Sequence, residues 1–520
     1  MILTSIGFIP REAILFLTGL MVFYMIFSSV DDSLYLIAMS IPFFVALPMI
    51  DGFDSMANWR ILIATLFLCL FFKKGVSLSL IKNEQGRWRV CQNLKHGMLE
   101  YLMIIFLAVS AISIFFADYK ILGIKKILFL INIFLLFLII KNIAQDKDKI
   151  LKILQSAAIG GVTIIGVALF QFLAVLFVPL YTFWQFWAGK VIVVFYGQNL
   201  SDLLSYSNTW FAYYPGAPPT LRLFSVFPDS HSFAMFLILM VPIFLALAVY
   251  SKNPLQPPLV KGESPHRGDP KGFFWWTMTI LALFGIIMSG SRGAWLSVLP
   301  VIAVALYVYR KRFEPALVKK TIMAFGLFVA IFLLSNFYPP MLYKFQSWQS
   351  GQNASSTLSF FQRAKSISDL DEVSNKGRLQ IWQASLKSLA KYPILGVGLG
   401  NFVTILDENI STAKKGASAH NLYLDVASEI GIFGALVLAA IFLEILRTSW
   451  LIFRRPQEPH FKIFGLFFGL YFFWVMVYSL FDVVMLNDKV MLLLLVGLGS
   501  LYSIKSLQEK NADFGKSVNL

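Results

Sequence analysis

The stretch SAHNLYLDVASEIGIFG, Ser418 to Gly434, puts one of the chain's five histidines, His420, where a long polar segment gives way to an apolar run. Imidazole is the side chain whose ordinary pKa permits proton transfer near neutral pH, so His420 is a candidate general base. The structural alternative is a capping pair, with Ser418 or Asn421 satisfying free backbone N–H groups at a helix start. Asn421 is also a candidate for holding substrate. Glu429 follows within the same apolar run, where an ionisable group is a functional candidate by default. Asp425 and Glu429 lie four apart on one helical face, suited to orienting a polar partner or pairing with an arginine.

Three arginines stand in comparable places. Arg292, in MSGSRGAWLSV, occupies a short turn between two apolar spans. A guanidinium costs roughly 2.5–3.5 kcal/mol at mid-bilayer and less near an interface. Arg292 therefore either snorkels to headgroups or binds an anion. Gly290 and Gly293 would let backbone approach a ligand closely, and Ser291 would add a hydroxyl. Arg222, in TLRLFSVFPDSHSFAMFLILM, just precedes another apolar span, with Asp229 and His231 following; an Arg222–Asp229 ion pair is its structural alternative. Arg378, in NKGRLQIW, opens an amphipathic stretch.

Weaker patterns carry less. Asp369-Leu-Asp371 matches the short acidic pattern of metal-using glycosyltransferases, but two acids at that spacing are common by chance, and no metal is expected. The glycines of GVGLG (Gly396, Gly398, Gly400) lack the strand–helix setting of a dinucleotide fold and read as a turn. Cys69 lies in an apolar run and Cys91 in a basic loop, with neither metal spacing nor a disulfide framework. No nucleophile elbow, P-loop or Cys/His cluster occurs, and no cofactor is expected.

The elements that must position these residues are membrane helices. The chain is 58% hydrophobic and 14% charged, against about 25% charged in a soluble domain. Apolar spans are predicted at about 13–29, 34–50, 57–72, 99–116, 122–140, 153–180, 232–250, 273–289, 293–309, 321–337, 421–449, 462–481 and 489–504. The expected fold is an all-α polytopic membrane protein of 12 or 13 transmembrane helices with one large, partly helical periplasmic loop. No cleavable signal peptide is expected from MILTSIGFIPRE, which lacks a basic flank.

The net charge of +16 is concentrated in short loops, which is a topology signal and not a nucleic-acid footprint. Segments 73–98, 141–152, 251–272, 310–320, 447–462 and the tail hold 26 Lys and Arg, against nine on the other side outside its long loop. The basic side is thus expected to be cytoplasmic. With 13 spans the N-terminus lies outside, with 12 inside. The expected organisation is N-terminal helices 1–180, a first periplasmic loop 181–231, and central helices 232–337. A large periplasmic loop 338–420, C-terminal helices 421–504 and a cytoplasmic tail 505–520 follow. The linker 251–272, which includes His266, is rich in Pro, Gly and charge and reads as disordered. In the large loop, Leu379, Trp382, Leu386 and Leu389 recur at helical spacing until Pro393, so a helix there would lie on the membrane surface or cap the bundle.

Taken in order, RLFSVFPDSHSFAMFL, SGSRGAWLSV, NKGRLQIWQASLKSLAKYPILGVGLGNF and AHNLYLDVASEIGIFGALV resemble the signature stretches of the O-antigen ligase and polymerase superfamily. Where that family often has Pro-Asn, this chain has Pro228-Asp229. The resemblance spans roughly residues 220–440. It implies a glycosyltransferase on the periplasmic or outer face of a bacterial inner membrane. Such an enzyme moves a glycan from undecaprenyl pyrophosphate to an acceptor hydroxyl. In ligases the acceptor is a sugar of the lipid A core, in lipopolysaccharide assembly; in polymerases it is the growing chain.

This reaction gives the polar residues roles. Arg222 and Arg292 would stabilise the departing pyrophosphate by charge-assisted forks, and His420 would take the proton of the attacking hydroxyl. Arg378, Ser291, Asn421 and Glu429 would bind substrate. A single displacement would invert the anomeric centre, without a metal. Ligase and polymerase remain open. A transporter or flippase is the alternative from another class, and would show broken helices meeting near mid-bilayer.

Overall fold

The computed structural model describes residues 4, 7–49, 56–74, 80–82, 88–90, 97–205, 210–214, 217–251, 270–312, 326, 328–334, 341, 373–406, 418–455 and 458–518. Cys91, His266, Asp369, Asp371, most of the 251–272 linker, most of the apolar span expected at 321–337 and most of the large loop expected at 338–420 lie outside these residues. Along the chain run α1 (Ala13–Phe27), α2 (Val30–Ser40), α3 (Trp59–Lys74), α4 (Met98–Ile114), α5 (Lys120–Ile143) and α6 (Lys147–Phe177). After them come short α7 (Leu180–Phe186), α8 (Val193–Tyr196) and α9 (Gln198–Ser205), then α10 (Ser230–Tyr250), α11 (Pro270–Met288) and α12 (Arg292–Arg312). The last four helices are α13 (Val373–Lys391), α14 (Leu422–Arg454), α15 (Pro459–Tyr478) and α16 (Asp488–Val518). Two short antiparallel hairpins, β1 (Leu80–Lys82) with β2 (Trp88–Val90) and β3 (Phe211–Tyr214) with β4 (Ala217–Leu221), complete the described elements.

The protein is an all-α polytopic membrane protein. Among the described residues seven helices are long and apolar enough to cross a bilayer: α5, α6, α10, α11, α14, α15 and the first part of α16. α1, α4 and much of α12 are shorter apolar helices. The expected span at 34–50 differs. α2 stops at Ser40, Pro42 sits in a 3-10 turn, and the chain continues extended to an Ala46–Ala57 bridge. A proline removes a backbone donor and forbids a continuous helix there.

α10 is apolar on every side, so it has no face suited to water or to a polar loop. It runs through the centre of the bundle, buried almost throughout, and packs against α6, α11, α15 and α16. Large side chains such as Phe16, Phe72, Phe170 and Leu443 remain exposed on outer helices, facing where lipid would lie. At one end of the bundle α2, α6 and the α14–α15 connection meet through Lys149–Asp31 (2.9 Å) and Lys147–Glu458 (2.7 Å) ion pairs. Lys141 also pairs there with Glu100.

The opposite end carries two irregular insertions. The region 181–231 holds α7–α9 and the β3–β4 hairpin, after which the chain turns into the bundle. Gln171, fully buried on α6, clamps that turn: its side chain accepts from Ser225 N at 2.8 Å and donates to Ser225 O at 2.9 Å. Ser225 has a positive φ of 52°. A buried amide with both halves satisfied holds irregular backbone at a depth where water cannot.

The second insertion follows α13. Residues 393–400 enter a break in α14 at Ile430 and Gly431. Val397 N donates to Ser428 O, Gly398 N to Glu429 O and Ile432 N to Pro393 O, all at 2.9 Å, so the loop replaces the helical bonds that the break removes. GVGLG is the turn its composition suggested, with positive φ at Gly396, Gly398 and Gly400. A Cβ at Gly431 (φ 71°) would lie 2.0 Å from the Ile394 carbonyl oxygen, and one at Gly396 2.3 Å from that of Ser428. Replacing Gly431 or Gly396 with Ala is expected to lower stability by at least the 1–3 kcal/mol of a strained backbone position, read as a fall in the unfolding temperature of detergent-purified protein. An unchanged melt for both variants would show that loop and helix do not interlock.

Candidate functional site

Arg222 follows directly from β4. Its backbone N–H donates to Trp210 O at 2.9 Å, and Leu223 N donates to Met288 O at 3.0 Å, tying the hairpin to the end of α11. The Arg222 side chain lies against Gly290. A Cβ built there would sit 3.1 Å from Arg222 Cγ and 3.2 Å from Cδ and Nε, and Gly290 has φ of 66°. Beyond it, Ser291 precedes the first turn of α12, which Arg292 opens. A Cβ at Gly293 would meet the Tyr478 ring at 3.0 Å and Phe481 at 3.2 Å. The two glycines therefore make room for Arg222 and Tyr478, side chains of the protein itself, where close approach of a ligand was expected.

The Ser291 hydroxyl is 2.6 Å from the Tyr478 hydroxyl at the end of α15. Tyr478 in turn lies 3.2 Å from His231 Nδ1 on the first turn of α10, and the same nitrogen is 2.8 Å from Asp482 Oδ2. One proton assignment satisfies this chain. Nδ1–H of His231 donates to the Asp482 carboxylate and, less directly, to the Tyr478 oxygen, while the Tyr478 hydroxyl donates to Ser291 Oγ. The Ser291 O–H is then left to donate onward. Such an assignment rests on the hydrogen-bond network, since imidazole tautomers follow from their partners.

Two carboxyls set the local field. Burial opposes the charged form of Asp482, but the His231 hydrogen bond and the positive charges of His231 and His420 outweigh it, so the group titrates below its ordinary range. Asp229 is pushed up, chiefly by burial and partly by Asp482, although His231 and Ser232 counter this. Its side chain caps α10, accepting from Ser232 N at 2.7 Å and Ser232 Oγ at 2.8 Å. Asp229 thus acts as a helix cap, the role a short acid before a helix is built for.

His420 enters from the far side of the chain. Leu422 N donates to Ser479 O at 2.8 Å, which fastens the start of α14 beside the end of α15. The residues around His420 are pinned separately. Ala419 N donates to Asp425 Oδ1 (3.0 Å), Trp382 Nε1 on α13 donates to Ala419 O (2.8 Å), and His420 N donates to Ser418 Oγ (3.3 Å). His420 itself adopts φ of 47°, a strained conformation for a residue with a side chain. Its charge reaches Asp482, and that of Arg378 on α13 reaches Tyr478.

The structure therefore brings Arg222, Ser291, Arg292, Arg378 and His420 to one end of the bundle, around Tyr478 and Asp482. Two expected substrate residues are turned elsewhere. Asn421 is the cap of α14, its Oδ1 accepting from Tyr423 N (3.0 Å) and Leu424 N (3.1 Å), so its oxygen is committed to the backbone. Glu429 is buried against Lys126 of α5 at 2.5 Å, where a lone carboxylate between helices needs a cation. The apolar stripe expected on α13 is also rotated. Ile381 is the buried residue, packed with Phe402, Leu406 and Ala419, while Leu379 and Leu386 point outward. His231, Tyr478 and Asp482 were not singled out as site residues in the sequence. Asp482, an acid next to an apolar run, carried the same signal as Glu429. Among the described residues no group of three or more His, Cys, Asp or Glu is arranged to hold a metal.

Residues 277–439 match the family model described as O-Antigen ligase. Over that stretch, less than half of the chain, the protein is similar to the O-antigen ligase superfamily. The matched stretch includes Arg292, Arg378 and His420, and leaves out Arg222, His231, Tyr478 and Asp482. A curated relative, the ComP-specific O-oligosaccharyltransferase of Acinetobacter baylyi, is 26% identical over 171 residues. That alignment takes in 32% of this chain, and the chain spans 27% of the relative's length.

The buried carboxylate should give the protein a particular acid response. Because folding lowers the Asp482 pKa, its carboxylate stabilises the protein above the unfolded value of about 3.9 and loses that contribution as pH falls through the folded value. Asp482→Asn is expected to lower the unfolding temperature across pH 5–8, with the two proteins converging only below about pH 4. Parallel melts at every pH would show that the carboxylate is not paired.

Proposed function

We propose that the chain is a membrane glycosyltransferase of the O-antigen ligase type. It moves a glycan from undecaprenyl pyrophosphate to an acceptor hydroxyl on the outer face of a bacterial inner membrane. The observation that supports this reading is that Arg222, Arg292, Arg378 and His420, from separate elements, lie at the end of the bundle that holds the buried Tyr478–His231–Asp482 chain.

The chemistry follows from that arrangement. The acceptor oxygen attacks the anomeric carbon and the bond from that carbon to the pyrophosphate oxygen breaks, so negative charge grows on the leaving group. Arg222 and Arg292 take up that charge in a site lined by apolar helices, where fixed cations act more strongly than in water. His420 accepts the acceptor's proton, and the imidazolium formed is stabilised by Asp482. Ser291, relayed through Tyr478 to His231, donates to a substrate oxygen. One displacement inverts the anomeric centre and needs no metal.

Polymerisation differs only in the acceptor, another lipid-linked glycan. The name of the Acinetobacter relative, an oligosaccharyltransferase with a specified acceptor, favours transfer to a distinct acceptor over chain growth. A transporter would use a broken helix to line a mid-membrane cavity. Here the break in α14 is filled by the backbone of residues 393–398, which favours the enzyme.

His420→Ala is expected to cost about 10²–10⁴-fold in transfer, the range for a general base, and Arg292→Ala to abolish it, with membrane insertion intact in both. The assay pairs purified protein and a lipid-linked glycan with either a core lipid or more donor; its product also separates ligase from polymerase. Normal rates in both variants would end the proposed mechanism. Chelator treatment should change little, and a metal-reversible loss would argue for Asp369 and Asp371. Cysteine labelling within 251–272 and 338–420 should report opposite faces of the membrane.

A further inference from the structure

The reaction centre uses one side of α13. Its opposite face, about half a turn round from Arg378, lines a separate cleft of about 940 Å³ between α13, the 393–405 loop and the α4–α5 connection. Gln380, Gln383, Lys387 and Lys391 line it at helical spacing, together with Asp118 and Tyr392. At about 1.5 Å rise per residue, this polar stripe runs roughly 16 Å along the helix. It begins two residues after Arg378 on the same rigid element, but on the other side of the helix.

The three faces of α13 separate their tasks. Ile381 and Ser385 are buried against the protein, and Leu379 and Leu386 form the outward apolar stripe. The cleft face takes the polar residues. Side-chain amides offer donors and an acceptor together, the pattern that pairs of sugar hydroxyls present. The two lysines supply point charges with one carboxylate, Asp118, against them, so the cleft favours anionic groups. Tyr392 is half exposed, with Lys391 Nζ 5.0 Å from its ring centre, and offers a flat apolar surface on which a sugar ring can rest beside a cation. The volume is that of a ligand site for several linked rings, at the large end of ordinary pockets.

We infer that this cleft binds an acidic oligosaccharide, holding a remote part of a glycan substrate along the face of α13 that Arg378 does not share. The inference rests on the transferase reading for its purpose, but binding can be measured without turnover. Purified full-length protein in neutral-lipid nanodiscs is incubated with a hyaluronan hexasaccharide, which carries carboxylates, or with neutral maltohexaose. Amine acetylation is then mapped by mass spectrometry.

The acidic probe should protect Lys387 and Lys391, and the neutral one should do so at least tenfold less well. Lys387→Gln with Lys391→Gln should weaken binding of the acidic probe about tenfold or more, and Gln383→Ala should weaken it without a change in melting temperature. His420→Ala should bind the probe as the unaltered protein does. Loss of transfer in that variant with binding retained separates the two readings. Failure of the acidic probe to protect either lysine would overturn the inference. Protection by phosphatidylglycerol vesicles and by neither sugar would also overturn it, and would make the cleft a lipid headgroup site.

Discussion

A carboxylate buried at the end of an apolar helical bundle costs several kcal/mol unless a cation and hydrogen bonds compensate it, and Asp482 is where this protein meets that constraint. The compensation comes from His231 at 2.8 Å, with the charge of His420 added. Because His231 sits on the first turn of α10 and Asp482 just beyond α15, the pair fixes the ends of two neighbouring helices. Tyr478 shares the same imidazole nitrogen and passes the contact to Ser291, which fixes the start of α12. Three separate pieces of chain thus meet around one ring.

The cationic groups are held by different means. Arg222 reaches the site because a buried glutamine, Gln171, supports the irregular segment behind it and because Gly290 leaves room for its stem. His420 is placed through its neighbour Ala419, whose carbonyl accepts from Trp382 and whose amide donates to Asp425. In both arrangements buried side chains hold the backbone that carries the charged group. The glycine turn of residues 396–400 and the break in α14 interlock loop and helix by backbone bonds, and so fix α13 relative to α14.

Much of this was legible in part. Charged residues in apolar surroundings stand out in a sequence because their desolvation cost is local, and Arg222, Arg292 and His420 were found that way. Local signals misled where two outcomes share one pattern. Asn421 before a helix can cap or bind, and it caps; Glu429 in a span can act on substrate or pair with a neighbour, and it pairs with Lys126, 303 positions away. The apolar stripe of α13 was seen, but which side of the helix the protein buries was decided by Ile381 and its neighbours.

By itself the sequence determined the membrane-helical class, the glycine turn and the few charged side chains that stand out against apolar surroundings. Those follow from periodicity and transfer energy, which act over a turn or two of chain. Only the tertiary structure decided which polar groups share a site. Ser291 meets Tyr478 across 187 positions and Tyr478 meets His231 across 247, and no local pattern encodes a contact whose two halves are brought together by the packing of everything between them.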